Sequence, residues 1–314
     1  MFNKIFKKLG RGFILNVITL SSGNLVAALI LLIFSPIILR IYSPDDLGAY
    51  QVFIALSSYF VLVSCLRFEY SLLSKKVNLF TTFKINLLCF SSIIFVTIIS
   101  ILYCFLCVAF KFDIYLSIGN IIFFLPLLTF FGGLVMLYTI NDIKTKKFGL
   151  LSKSKILQNS SLTFTQISLG LINFSNLGLF YADIIGKASF SILNFDKRYF
   201  KIILSFFKIS TVIKIAFRFK SFPLLMLPSK IFNLTATSLP IIIIGNSYSL
   251  GVVGFYYLID RIFAPISILV SEAVSRVFES DLSLEQSQDT NLFKKSLYII
   301  LCSFIILIPF VLII

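Results

Sequence analysis

The length of the uncharged runs constrains this chain most. From Phe13 to Leu39 no charged side chain interrupts the sequence, and similar runs fill most of the remainder. Some 20 apolar residues suffice to cross bilayer hydrocarbon as a helix. Inside the hydrocarbon every backbone N–H and C=O needs a partner within the protein, so only helices or closed barrels span. Long runs without alternation specify helices. The chain therefore reads as an all-α integral membrane protein. Its composition agrees: 58% of residues are hydrophobic and the mean hydropathy is +1.01, whereas soluble domains are roughly 45–50% apolar.

The basic segment Met1–Arg11 could open a signal peptide, but the apolar run behind it continues to Ile41 without a small-residue cleavage site, so a first transmembrane helix is expected. Further spans are expected at 44–73, 85–110, 114–140, 156–174, 177–194, 222–245, 250–277 and from 297 onward, about nine in all. The net charge of +15 then has a simple origin. Of the cations outside spans, 22 fall on one side and only Arg40 and Lys111 on the other. Loops rich in Lys and Arg stay cytoplasmic, which places the N-terminus inside. The charge is an orientation signal, and no nucleic acid is expected as a partner. Seven of these cations lie between Lys197 and Lys220. Lys201 to Lys220 has a basic amphipathic pattern that fits either an anionic leaflet or a solvated connector.

Chemistry-bearing residues are sparse. The chain has no His, which removes the usual general base and the commonest metal ligand. All five cysteines fall in apolar runs, and Cys104-x-x-Cys107 reads as small apolar filler rather than a redox pair. No GxxxxGK[ST] loop is present to hold a nucleotide. Neither metal, cofactor nor enzymatic activity is expected.

The stretch Pro36–Leu73 joins two spans through a polar corner. Ser43 reads as an N-cap, Pro44 as the first helical residue, and Asp45 and Asp46 sit at the positive end of the helix dipole. About 30 residues to Leu73 would make a helix of roughly 45 Å, with Arg67 and Glu69 near its far end. Part of this stretch recurs. Pro36-Ile-Ile-Leu and Leu47-Gly48-Ala-Tyr50 match Pro240-Ile-Ile-Ile and Val253-Gly254-Phe-Tyr256, with Gly48 and Gly254 separated by 206 positions. The first two spans thus correspond to the seventh and eighth. An even shift of six spans preserves orientation, giving two parallel lobes about an axis along the membrane normal.

Ser43-Pro-Asp-Asp-Leu-Gly48 and Leu66-Arg-Phe-Glu-Tyr70, with Gly254 to Pro265, Ala273 to Phe278, and Gln166, Gly170 and Gly178, resemble the polysaccharide-transporter branch of the multidrug/oligosaccharidyl-lipid/polysaccharide (MOP) superfamily, in particular Wzx-type O-antigen flippases. The resemblance implies a MOP-type bundle: a six-helix N-terminal lobe (1–200), a basic cytoplasmic linker (201–221) and a partial second lobe (222–314). Members usually have twelve or more helices, so about three of the second lobe would be lacking and the chain would be a fragment, an interrupted gene product or a short form. The implied function is flipping of undecaprenyl-pyrophosphate-linked surface oligosaccharides across the bacterial inner membrane. The implied partners are that lipid-linked oligosaccharide, the bilayer and other polysaccharide-assembly proteins. Drug or lipid-precursor export by a cousin, a membrane polysaccharide polymerase, and an inactive remnant are the alternatives.

Charges inside hydrocarbon are costly and tend to face a cavity or a partner. Arg67, Lys187, Lys230 and Arg261 lie within spans, Arg261 about 15 Å into its own. A cavity lined by such cations suits a pyrophosphate or an acidic sugar, because Arg can hold phosphate bidentately. Asp183 and Lys187, spaced i, i+4, either line that cavity or neutralise each other. Asp260 adjoins Arg261 but points elsewhere. Asn24, within Ser21-Ser-Gly-Asn24, and Asn233, ahead of Thr235 and Thr237, interrupt corresponding spans and either line a hydrated path or bind helices together.

Overall fold

A computed structural model describes residues 11–74, 77–110, 119–172, 175–196 and 209–261, and every regular element among them is helical. The elements are α1 (Arg11–Ile41), α2 (Pro44–Ser64), a 3-10 turn (Phe68–Leu73), α3 (Leu79–Phe110), a second 3-10 turn (Gly119–Phe124), α4 (Leu125–Lys144), α5 (Phe148–Leu171), α6 (Ser175–Leu193), α7 (Ile209–Arg218), α8 (Ser221–Ser247) and α9 (250–261). Five helical segments among the described residues are long and apolar enough to cross a membrane: Thr19–Ile41, Pro44–Ser64, Leu79–Phe110, Ile121–Lys144 and Ser221–Gly245. Helices α5 and α6, which hold the spans expected at 156–174 and 177–194, are 24 and 19 residues long but more polar. The ninth span, the segment Ala273 to Phe278 and the remainder of the eighth lie outside the described residues.

Helix α3 carries the membrane signature in its two faces. Ser92, Val96, Ser100, Cys104 and Cys107 turn inward, whereas Phe95, Ile98, Leu102 and Phe105 are each about 60% exposed. A soluble helix would bury those four large side chains. In lipid the exposed apolar face has a matching solvent, and small or weakly polar residues mediate helix contact. Cys104 donates to the carbonyl of Ile122 and Cys107 is fully buried, both as free thiols.

Contacts between helices fix their directions. Gly23 packs on Ser152, Asn159 donates to the Ala27 carbonyl, and Tyr42 reaches Gln166, so α1 and α5 run parallel. Helix α6 returns antiparallel along α5, with Gly178 on Leu169, Gly186 on Leu162 and Asn194 on Ser154. Helices α3 and α4 are antiparallel, with the Asn86 and Asn141 amides exchanging hydrogen bonds at 3.2 and 3.0 Å. These directions are those of alternately crossing helices. Two apolar cores result. One centres on Phe53, Leu128, Phe180 and Val253 near the α1–α2 corner, the other on Leu72, Ile85, Phe148 and Phe190 near the opposite helix ends.

The corner forms as its residues require. Ser43 Oγ accepts from the Asp46 N–H and Asp46 Oδ2 accepts from the Ser43 N–H, each at 3.2 Å, completing a capping box behind Pro44. The expected 30-residue helix does not form, however. Helix α2 ends at Ser64 after 21 residues, about 32 Å of rise. Leu66 and Arg67 then take left-handed conformations, with φ of 50° and 60°. Such backbone costs roughly 1–2 kcal/mol per non-glycine residue, which packing around the turn must offset. Of the linker expected at 201–221, residues 201–208 lie outside the described residues, and α7 docks on α3, with Ile215 and Phe219 buried in the second core.

The recurring corner contacts its own repeat. A Cβ on Gly48 would lie 1.8 Å from the Leu250 carbonyl oxygen, and one on Gly254 would lie 2.0 Å from that of Pro44. The 206-position shift carries Pro44 to Leu250 and Gly48 to Gly254. The contact is therefore reciprocal, as a two-fold relation between helix starts demands. Only glycine permits backbones this close.

Candidate functional site

Arg261 closes a polar cluster assembled from four helices. One guanidinium nitrogen donates to the Tyr257 hydroxyl, one turn earlier on α9. The other terminal nitrogen donates to Gln166 Oε1 on α5 at 3.2 Å. The guanidinium also lies over the Tyr257 ring, 5.6 Å from its centroid. Gln166 is fully buried, and its main-chain carbonyl accepts from the Tyr42 hydroxyl at 2.7 Å. Burial and the nearby Asp46 carboxylate push the Tyr42 hydroxyl up to about 12, which keeps it a donor. Tyr50 of α2 packs edge-on against both Tyr257 and Phe180, with centroids 5.8 and 5.6 Å apart.

On α6, Lys187 Nζ donates to Asp183 Oδ2 at 2.8 Å, and the Asp183 carboxylate lies within electrostatic reach of Tyr50 and Tyr257. These two charges neutralise each other, the bland member of the expected pair of readings. Arg261 instead binds neutral oxygens, so its charge is not cancelled through its own hydrogen bonds. Among the described residues its Nε and the Gln166 Nε2 have no hydrogen-bond partner. Buried donors left unpaired cost free energy comparable to lost hydrogen bonds, and two in one cluster mark a place where an acceptor-rich group would be stabilised.

The remaining candidates do not join this cluster. Arg67 is buried near the other core and bonds Glu69 at 3.4 Å, with its guanidinium 5.4 Å from the Tyr70 centroid. Burial pushes the Glu69 carboxyl up to about 7, against the opposing pull of Arg67. Lys230 and Asn233 are exposed on α8, whose nearest polar link to α2 is Tyr59 donating to Thr235 at 3.3 Å. Asp260 is exposed on α9, and its carboxylate lies within electrostatic reach of Tyr257 without bonding Arg261. Asn24 is buried on α1, beside the Gly23–Ser152 contact, and both its amide atoms lack partners among the described residues.

Reading the sequence by charge alone missed Tyr42, Tyr50 and Tyr257 as members, and gave Gln166 no role beyond its part in the family resemblance. A glutamine inside an apolar run was the available signal for Gln166, because intramembrane polar groups seek partners. No protein-family profile, curated protein or solved structure matches the chain.

Proposed function

We propose that this protein is a flippase of the bacterial inner membrane that moves lipid-pyrophosphate-linked oligosaccharide units, of the kind that build O-antigen, from the cytoplasmic to the outer leaflet. One observation carries the reading: Arg261 sits among packed helices held by neutral Tyr257 and Gln166, with no carboxylate in its hydrogen-bond set among the described residues. A substrate phosphate would supply the missing anion, and the open Nε offers a further donor. The cluster bridges α9 to α2, α5 and α6, where relative motion of two lobes would open and close it. Flipping requires no bond making or breaking, so binding and exclusion of lipid are all these residues need to supply. The N-terminus is cytoplasmic in this scheme, as the charge distribution of the loops requires.

Depleting the protein from its host tests the proposal. Lipid-linked oligosaccharide should accumulate on the cytoplasmic side while surface glycan falls. Unchanged pools on both sides would overturn it.

A further inference from the structure

Helix α7 has three faces, and the fold accounts for only one of them. At 3.6 residues per turn, Val212, Ile215 and Phe219 share a side, which packs into the core beside α3. The adjoining side carries Ile213 and Phe217, respectively 50% and 70% exposed. Beyond it lie Lys214 and Arg218, both exposed, with exposed Lys220 following at the helix end. No acidic residue falls between Ile209 and Lys220. The apolar surface of α7 is thus wider than its docking site on the protein, and every charge bordering its free part is a cation.

The position of α7 narrows the choice of occupant. Immediately after Lys220 the chain enters α8, whose segment Ser221–Gly245 is long and apolar enough to cross a membrane and whose Leu224 and Leu225 are about 70% exposed. At the start of α3, against which α7 packs, Leu79 is 74% exposed. Exposed apolar side chains therefore continue from α7 onto surfaces that face lipid. An amphipathic helix of this kind lies in the headgroup plane, with bulky apolar groups among acyl chains and Lys or Arg at the phosphates.

We infer that α7 is an anionic-lipid-binding bracket: one face bolts it to the helical bundle while Ile213 and Phe217 insert into the cytoplasmic leaflet and Lys214, Arg218 and Lys220 bind acidic headgroups. Charge complementarity selects the partner, because juxtamembrane cations are attracted to anionic lipid at close range. This assignment is independent of what the protein transports, and its test reads lipid contact alone.

The full chain is reconstituted in nanodiscs of phosphatidylcholine with or without phosphatidylglycerol, carrying a spin label on Phe217→Cys in a background without reactive cysteines. The label should be shielded from water-soluble relaxant and accessible to membrane-soluble oxygen, more deeply so with phosphatidylglycerol. Full aqueous exposure in both lipids would overturn the inference, and so would shielding that appears only when soluble acidic cytosolic protein is added. A second measurement avoids the label. Native mass spectrometry of the unlabelled chain should show preferential retention of phosphatidylglycerol, reduced more than tenfold in K214Q/R218Q at about fivefold per cation. Equal retention by parent and variant, or competition by soluble glycerol phosphate as strong as by the lipid, would contradict it.

Discussion

Arg67 and Arg261 invite comparison. Both guanidiniums lie over a tyrosine, 5.4 and 5.6 Å from the ring centroid, and both leave Nε unpaired among the described residues. Their surroundings differ in origin and in charge. Arg67 meets a carboxylate two residues along its own chain, inside a turn that the strained Leu66–Arg67 backbone creates. Arg261 meets a tyrosine on its own helix and a glutamine on α5, both neutral. The local pair balances its own charge just beyond the end of α2. The long-range cluster holds a cation whose charge remains available, and it depends on the relative placement of helices. The two arginines thus differ in the charge of their partners, a carboxylate for Arg67 and neutral oxygens for Arg261.

Removing Arg67 should do the most damage. Arg67→Ala leaves Glu69 buried without its counter-charge, a change that costs about 3–5 kcal/mol when a buried pair is broken. Thermal unfolding in detergent should show it, and the loss should shrink at low pH, where Glu69 takes up a proton. A neutral outcome at pH 8 would mean that the turn does not need the pair.

Glu69 also imposes a pH dependence. Its carboxyl rises from 4.5 to about 7 on burial, so the folded chain holds a proton between those values that the unfolded chain releases. The resulting stabilisation is fully present below about pH 4.5 and is lost as pH rises through 7, roughly 3 kcal/mol in all. Unfolding profiles of the parent and Glu69→Gln should diverge in slope across that window. Parallel profiles would contradict the burial of this carboxyl.

Gly254→Ala places a methyl against the Pro44 carbonyl, and overpacking of this sort costs about 1–3 kcal/mol. Gly48→Ala should match it, because the two positions are reciprocal. A large difference between them would break the two-fold relation. At the small end, Lys230→Ala and Asn233→Ala change only exposed side chains of α8 and should alter export by less than about twofold.

Much of this was legible in the chain. The helical membrane class followed from uncharged runs, and the N-cap at Ser43 from local chemistry, because both depend on residues near one another. The break at Leu66 was not: the Leu-Arg-Phe-Glu segment contains no glycine or proline, and only tertiary burial of Glu69 and Phe68 explains why two ordinary residues adopt left-handed backbone. Charge counting located Arg261, Asp183 and Lys187 but could not tell which of them neutralise each other. That required the distances, and so did Tyr42, Tyr50 and Tyr257, whose hydroxyls and rings look like ordinary core until α9 is placed against α2. The internal repeat was visible as two short motifs, whereas the meeting of Gly48 and Gly254 with each other's helix starts was not.

The central claim is that Arg261 binds the phosphate of a lipid-linked oligosaccharide during its passage. The direct measurement is flipping of a fluorescent lipid-pyrophosphate-linked oligosaccharide in proteoliposomes containing the parent chain or Arg261→Ala at matched insertion. Loss of one charge-assisted phosphate contact, worth about 1.5–3 kcal/mol, predicts a rate lower by roughly 10- to 100-fold. Equal rates for the two proteins, or no flipping by the parent chain above empty vesicles, would contradict the account.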